Sequence, residues 1–298
     1  MFSHGPLERY SLSRVMPSPS PSPVNGGGNR GNRGRPLATV AFLFLIAMPG
    51  VLRAGAWTLP QNSWYVEEAI SFFSSDKDID AKGEASSKAF RGVYDEVRLK
   101  TYVEYGLRDR WTLIFAAPYR RARFVDDYND ISNGGFTDAS AAVKWRWKPN
   151  PWVVSFGASL GLPTGYDAAE PLALGTGRGN AEARVYVSRL FDERLMLTAE
   201  VAKDRVGVPY LIEAAGIARS IGFLKIMVNG LADFPHHSDA ESYAKWNLSA
   251  GLTSEGSNAM IRYNRQKSTS VSIGMGRVFH GKNTGSGTDL SLSVAFVF

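Results

Sequence analysis

The end of this 298-residue chain alternates without a break. From Thr288 onward, Leu290, Leu292, Val294, Phe296 and Phe298 fall on one face of an extended segment, and Asp289, Ser291, Ser293, Ala295 and Val297 on the other. Only a period of two separates the sets in this way, so the segment reads as a strand with an apolar face and a small, polar one. The pattern recurs upstream. Over residues 96–105, Val97, Leu99, Thr101, Val103 and Tyr105 oppose Glu96, Arg98, Lys100, Tyr102 and Glu104. Over residues 139–148, Ala139, Ala141, Val143, Trp145 and Trp147 oppose Lys144, Arg146 and Lys148. A face this charged must meet water or paired charge, never lipid. After Trp57 no apolar run approaches the roughly 20 residues of a spanning helix. Two outlets remain: a soluble sandwich with a solvated face, or a closed barrel, since lipid cannot satisfy an open sheet edge.

The connections favour the barrel. Short turns are expected at 106–110, 148–151, 191–194 and 219–222, with longer polar stretches at 74–89, 126–135, 163–179, 203–209 and 235–242. Short and long alternate, as they do when the turns at one end are tight and the loops at the other are free. A sandwich has no reason to sort its loops in this way. The strand reading runs 62–74, 92–106, 110–125, 136–148, 151–162, 179–191, 194–205, 208–219, 222–234, 242–253, 268–279 and 287–298. The expected fold is therefore all-β: a transmembrane antiparallel barrel of twelve strands. A further strand at 259–263 would require a partner and raise the count to fourteen.

Ahead of the barrel, residues 17–36 are rich in Pro, Ser, Gly, Asn and Arg and cannot build a core. The apolar run at 37–48 follows Arg30, Arg33 and Arg35 and is too short to span, but it suits the core of a secretory signal peptide. Ala54, Gly55 and Ala56 supply the small-x-small pattern of a cleavage site, which divides the chain into a leader, 1–56, and a barrel, 57–298, cut between Ala56 and Trp57. A retained N-terminal anchor is the alternative. Net charge takes its meaning from this division. The chain carries 34 basic and 28 acidic residues, but six of the basic and only one of the acidic residues lie in the leader. The remainder is near neutral, so no nucleic-acid partner is inferred. With no cysteine in the chain, disulfides and thiolate chemistry are ruled out.

An apolar alternation ending on Phe296 and Phe298 resembles the C-terminal signature of bacterial outer-membrane barrels. Several further phrases occur in order along 57–298: Trp57-Thr58-Leu59-Pro60 with Trp64-Tyr65, Gly106-Leu107-Arg108-Asp109-Arg110, Pro118-Tyr119, Gly134-Gly135-Phe136-Thr137-Asp138, Leu162-Pro163-Thr164-Gly165 and Leu174-Gly175-Thr176-Gly177. As a set they resemble the outer-membrane "MetA-pathway of phenol degradation" family, labelled transporter-like. The resemblance implies a twelve-stranded type of barrel in the bacterial outer membrane and a role in passing small aromatic or otherwise hydrophobic solutes. It assigns no substrate residue.

On the residues themselves, the candidate lumen-lining set is Glu96, Arg98, Lys100, Glu104, Lys144, Arg146, Lys148, Glu200, Glu213 and Lys225. The signs are mixed, so the set could form a paired network that fills the interior or line an open channel. The loop at 163–179 is expected to be exposed to solvent, with an inward constriction as the alternative. Arg120, Arg121 and Arg123 sit at a strand end, where they could meet lipopolysaccharide, shape access to the lumen, or face Asp126 and Asp127. The cluster His236-His237-Ser238-Asp239 invites comparison with outer-membrane phospholipases, but neighbours in sequence rarely reach nucleophile–base geometry. No third metal ligand accompanies the two histidines. The reading is thus not an enzyme, with no catalytic residue, cofactor or metal. Its partners are outer-membrane lipid and lipopolysaccharide, the barrel-assembly machinery during biogenesis, and a small solute. A structural barrel without transport is the alternative. Sequencing the exported protein from its N-terminus should return Trp57 first; a chain that still carries residues 37–48 would identify the anchor instead.

Overall fold

A computed structural model describes residues 55–148, 151–175, 177, 179–191, 195–204, 210–221, 223–235, 242–253 and 267–298. Apart from a three-residue 3-10 turn at Ala89–Arg91, the regular structure among them is strand. The strands are β1 (Trp64–Ile79), β2 (Ala85–Ser87), β3 (Val93–Arg108), β4 (Trp111–Val125), β5 (Asp130–Phe136), β6 (Ala139–Lys148), β7 (Trp152–Leu162), β8 (Asn180–Leu190), β9 (Leu195–Asp204), β10 (Tyr210–Ile221), β11 (Leu224–Pro235), β12 (Ser242–Thr253), β13 (Ser268–Lys282) and β14 (Thr284–Val297). Neighbours in sequence pair antiparallel, and β14 returns to β1 with Tyr65 opposite Val297 and Ile79 opposite Thr284. The sheet is closed.

Two of these strands do not add to the circumference. β2 is a flap on the far end of β1. β5 pairs with residues 119–125 of β4, and β6 with residues 111–116 of the same strand. Together β5 and β6 make one wall strand, interrupted at Thr137 and Asp138, where the Thr137 N–H donates to the Pro118 carbonyl at 2.9 Å. Counted this way, the wall among the described residues has twelve strands. The possible extra strand at 259–263 lies outside the described residues, as do most of the leader and the His236–His237 cluster.

Three connections differ from the sequence expectation. Residues 74–79 continue β1 across a register shift between Ser74 and Lys77, where an external stretch was expected. In the expected loop at 126–135, only 126–129 turn; Asp130–Phe136 is strand despite its Asn and Gly content, because the outer part of β4 offers a free edge to pair with. The last hairpin closes over Asn283 alone, at φ 50°. Asn tolerates that left-handed turn, so the strands run three residues further on β13 and begin three earlier on β14 than a 280–286 loop would allow.

The outward face carries the apolar residues: Phe72, Leu99, Phe115, Leu160, Ile273, Leu290, Leu292 and Phe296 are all exposed. At the end of the barrel that holds the chain's C-terminus and the tight turns, aromatic rings gather. Trp64 stands 4.6 Å from Tyr105 and Trp145 6.0 Å from Phe156, centroid to centroid, as amphipathic rings do at a lipid–water boundary. Just ahead of β1, residues 55–60 enter the barrel at this turn end. Leu59 is fully buried with Tyr65, Tyr102 and Ala295, and its N–H donates to Thr112 Oγ1 at 2.8 Å. Gly106 at the end of β3 makes this possible, since a Cβ there would run into the Pro60 carbonyl. Gly106→Val should lower the temperature at which the unboiled, fast-migrating form converts to the slow one, by the equivalent of about 1–3 kcal/mol for overpacking. Unchanged conversion would show that the 55–60 segment is not seated against β3.

Candidate functional site

The functional space of a closed sheet is its interior, and alternation decides which side chains reach it. Glu96, Arg98, Lys100, Tyr102 and Glu104 of β3 all lie on the interior face, opposite exposed Leu99. At the turn end, Glu104 and Lys144 are both fully buried, with Lys144 Nζ 3.8 Å from Glu104 Oε2. Tyr102 donates its hydroxyl to Glu104 Oε1 at 2.6 Å. The Lys144 ammonium stands over the Tyr186 ring at 5.4 Å and donates to the Gly55 carbonyl at 3.4 Å. Above this pair, Ser155, Ser188 and Thr198 are buried around Ala56, so the segment 55–60 covers the inner end of the charged wall.

A second cluster sits further toward the loop end. Arg120 Nε lies 2.7 Å and Arg98 Nη2 2.6 Å from opposite oxygens of Glu96, and Tyr94 donates to Glu96 Oε2 at 2.7 Å. Across the wall, Lys245 Nζ is 2.6 Å from Asp289 Oδ2, and Arg184 is 2.8 Å from Glu182. Buried charge in a low-dielectric space is costly unless it is paired, and each acid in these clusters has a cation beside it, although Glu104 Oε2 and Asp289 Oδ1 accept no hydrogen bond.

Part of the loop between β7 and β8 turns into the barrel, while 163–165 and 167–171 stay exposed. Leu172, Ala173 and Leu174 are buried. Arg120 Nη1 donates to the Ala173 carbonyl at 3.3 Å and Asn133 Nδ2 to the Leu172 carbonyl at 3.4 Å. Tyr166 donates its hydroxyl to Asp138, and Gly177 N donates to Tyr166 at 3.1 Å. Gly135 leaves room for the tip: a Cβ there would stand 2.6 Å from Leu174 Cδ1. Leu172 is held at φ 55°, a left-handed conformation that costs a non-glycine residue roughly 1–2 kcal/mol. The expectation of an exposed loop holds for 163–165 and 167–171 and is corrected for 172–175, which anchors on β4, β5 and the β5–β6 break draw inward.

The remaining sequence candidates spread along the barrel. Arg146 lies at the turn-end rim and donates to the Asp109 carbonyl at 2.8 Å. Lys225 lies on the face of β11 that buries Met227. Lys148 is the last residue of β6, past a register shift. Glu200 stands in register with Tyr186, in the interior series. Glu213 stands in register with Val201, which is exposed. Opposed residues of an antiparallel pair share a face, so the register sets Glu213 opposite Val201 and Lys148, past the shift, opposite Val154, both away from the buried series. Of the three arginines on β4, Arg120 turns inward, Arg123 pairs outside with Asp130 at 2.6 Å, and Arg121 is exposed; Asp127 pairs with Arg91 instead. Sequence reasoning did not include Arg120, Tyr94 and Lys245 in the interior set. The alternation of Lys245, Asn247, Ser249 and Gly251 against Trp246, Leu248, Ala250 and Leu252 carried the signal for the last.

Removing one member of the Glu104–Lys144 pair should be costly. Lys144→Met alone leaves a buried carboxylate without its cation and should destabilise the barrel by about 3–5 kcal/mol, whereas Glu104→Gln with Lys144→Met should recover most of that loss. Urea-dependent band-shift curves for the two variants would decide it; equal midpoints would mean the pair is not coupled.

No protein-family model matches the chain, and no curated protein is similar to it in sequence. Solved structures are similar in fold. An outer membrane channel from Pseudomonas putida F1 superposes with a TM-score of 0.63 at 16% identity, over 83% of this chain and 100% of the other. The NanC porin gives 0.47 at 10% identity, over 78% and 98%. A TodX monoaromatic hydrocarbon channel mutant gives 0.42 at 7% identity, over 80% and 90%. Likeness at these identities concerns the backbone, and what it shows is that the fold is that of a bacterial outer-membrane β-barrel.

Proposed function

We propose that this chain is an outer-membrane channel for small solutes, aromatic or otherwise hydrophobic, made with a leader that is removed before Trp57. The observation that carries the reading is the inward loop. Its tip is fixed to the interior wall by Arg120, Asn133 and Asp138, at the expense of a strained Leu172. A loop anchored at that cost narrows a passage, and a barrel that only stiffens a membrane has no use for one. The description of the Pseudomonas putida structure as a channel supports the same reading. The solute class rests on the resemblance to the phenol-degradation family. The candidate lumen residues would line the route, with Glu96, Arg98, Lys100, Glu104, Lys144 and Arg146 on one wall. Lipopolysaccharide would meet the exposed Arg121 at the outer rim, and the barrel-assembly machinery would read the strand ending on Phe296 and Phe298.

A structural barrel is the second reading, and the fully buried Leu59 at the turn end is the observation that favours it. Single-channel recording of the exported protein in a planar bilayer separates the two. A channel should give discrete conductance steps that small aromatic acids interrupt. Asn133→Ala with Tyr166→Phe, which release the loop, should enlarge or destabilise those steps. Efficient insertion without conductance, in the wild type and in the released variant, would leave the structural reading standing.

A further inference from the structure

Gly55 and Ala56 are held by the barrel as a ligand would be. Lys144 Nζ donates to the Gly55 carbonyl at 3.4 Å, Ser155 donates its hydroxyl to the Ala56 carbonyl, and the Ala56 N–H donates to Ser188 Oγ at 2.9 Å. The fit is close on the other side as well, since a Cβ on Gly55 would lie 2.5 Å from Ser188 Oγ and 2.6 Å from Thr198 Oγ1. Lys144, Ser155, Ser188 and Thr198 are each 0% exposed while the dipeptide is in place. Under the proposed cleavage before Trp57, these two residues are the last of the leader. Hydrolysis of the Ala56–Trp57 bond by a leader peptidase adds water across it. The new carboxylate departs with the leader, and the Trp57 nitrogen becomes an α-ammonium.

We propose that in the processed protein the place of Gly55 and Ala56 is a binding subsite for the carboxylate of a small organic anion. The inference rests on the channel reading and on cleavage before Trp57. Two carbonyl oxygens are held there by an ammonium and a hydroxyl, and a carboxylate presents two oxygens to the same donors with a full negative charge. Processing adds a second cation, because an α-amino group with an ordinary pKa near 8 is charged at neutral pH. The Tyr186 ring, which lies beside Lys144 and packs on Gly157, offers an apolar surface for the rest of the molecule. The dipeptide sets the size: a monocarboxylate about as large as benzoate.

The test uses protein purified from the outer membrane of expressing cells, with benzoate as the probe and neutral benzamide as its isostere. Trp57 should be the first residue by sequencing, and benzoate but not benzamide should raise the temperature of the electrophoretic band shift. Ser155→Ala with Ser188→Ala should require about tenfold more benzoate for the same shift. Glu104→Gln with Lys144→Met, which removes the cation without stranding its partner, should abolish the response. An exported chain beginning at Gly55 or earlier would overturn the proposal, because the subsite would stay filled. So would a benzoate effect that is absent, matched by benzamide, or unchanged in both variants. Conductance measured on the same preparation separates the two claims. A silent barrel that still responds to benzoate keeps the subsite and loses the channel; a conducting barrel without the response does the reverse.

Discussion

Everything in this molecule depends on the pairing of the last strand with the first. Within hydrocarbon a backbone N–H or C=O has no water to turn to, so each unpaired group at a sheet edge costs several kcal/mol. The run from Tyr65–Val297 to Ile79–Thr284 removes both edges at once. Once the sheet is closed it has only an outside and an inside, and the period of two sorts the residues between them. Leu290, Leu292 and Phe296 are exposed because their surroundings are lipid, and Asp289 and Ser293 are buried because theirs is the barrel interior. The usual relation between burial and polarity is inverted, and the inversion follows from closure alone.

An enclosed polar interior brings its own constraint. A charge there has little water to screen it, so it must find a partner or stay neutral. Glu104 with Lys144, Glu96 with Arg98 and Arg120, and Asp289 with Lys245 each meet that requirement locally. The two chain segments that enter the interior use the same groups. The loop tip offers a carbonyl to Arg120, and the segment ahead of β1 offers one to Lys144. Arginine and lysine therefore do two things in this barrel, balancing an acid on the wall and holding a piece of backbone across the space.

Much of the wall could be read from the sequence because neighbouring residues contrast strongly. Glu96, Arg98 and Lys100 against Val97, Leu99 and Thr101 leave no doubt about face, and nor does the C-terminal strand. The strand that carries Glu213 lacks that contrast. In β10, Tyr210 and Ile212 on one face are as apolar as Leu211 and Ile217 on the other, so only pairing with β9 sets the register. The segment Asp130–Phe136 failed because its Asp, Asn and Gly content is that of a loop, and the free edge of β4 that makes it a strand is not a local property. The inward loop could not be read for a related reason. Tyr166, Leu172 and Gly175 look the same in solvent or in a lumen, and their anchors Arg120, Asn133 and Asp138 are dozens of residues away. Local alternation is written in the chain; contacts between a loop and a distant wall are not.

The one-residue connection at Asn283 bears on the order in which such a barrel is put together. β13 and β14 are joined by the shortest link of any described pair, so bringing them side by side costs little chain entropy. The seam between β14 and β1 joins the two ends of the sheet and is the most demanding contact to find. The final hairpin therefore behaves as a ready-made clasp: β14 arrives with one side already engaged and its free side matched to β1. The short link makes β13–β14 the pairing of lowest closure entropy, and the β14–β1 seam is the pairing that completes the wall.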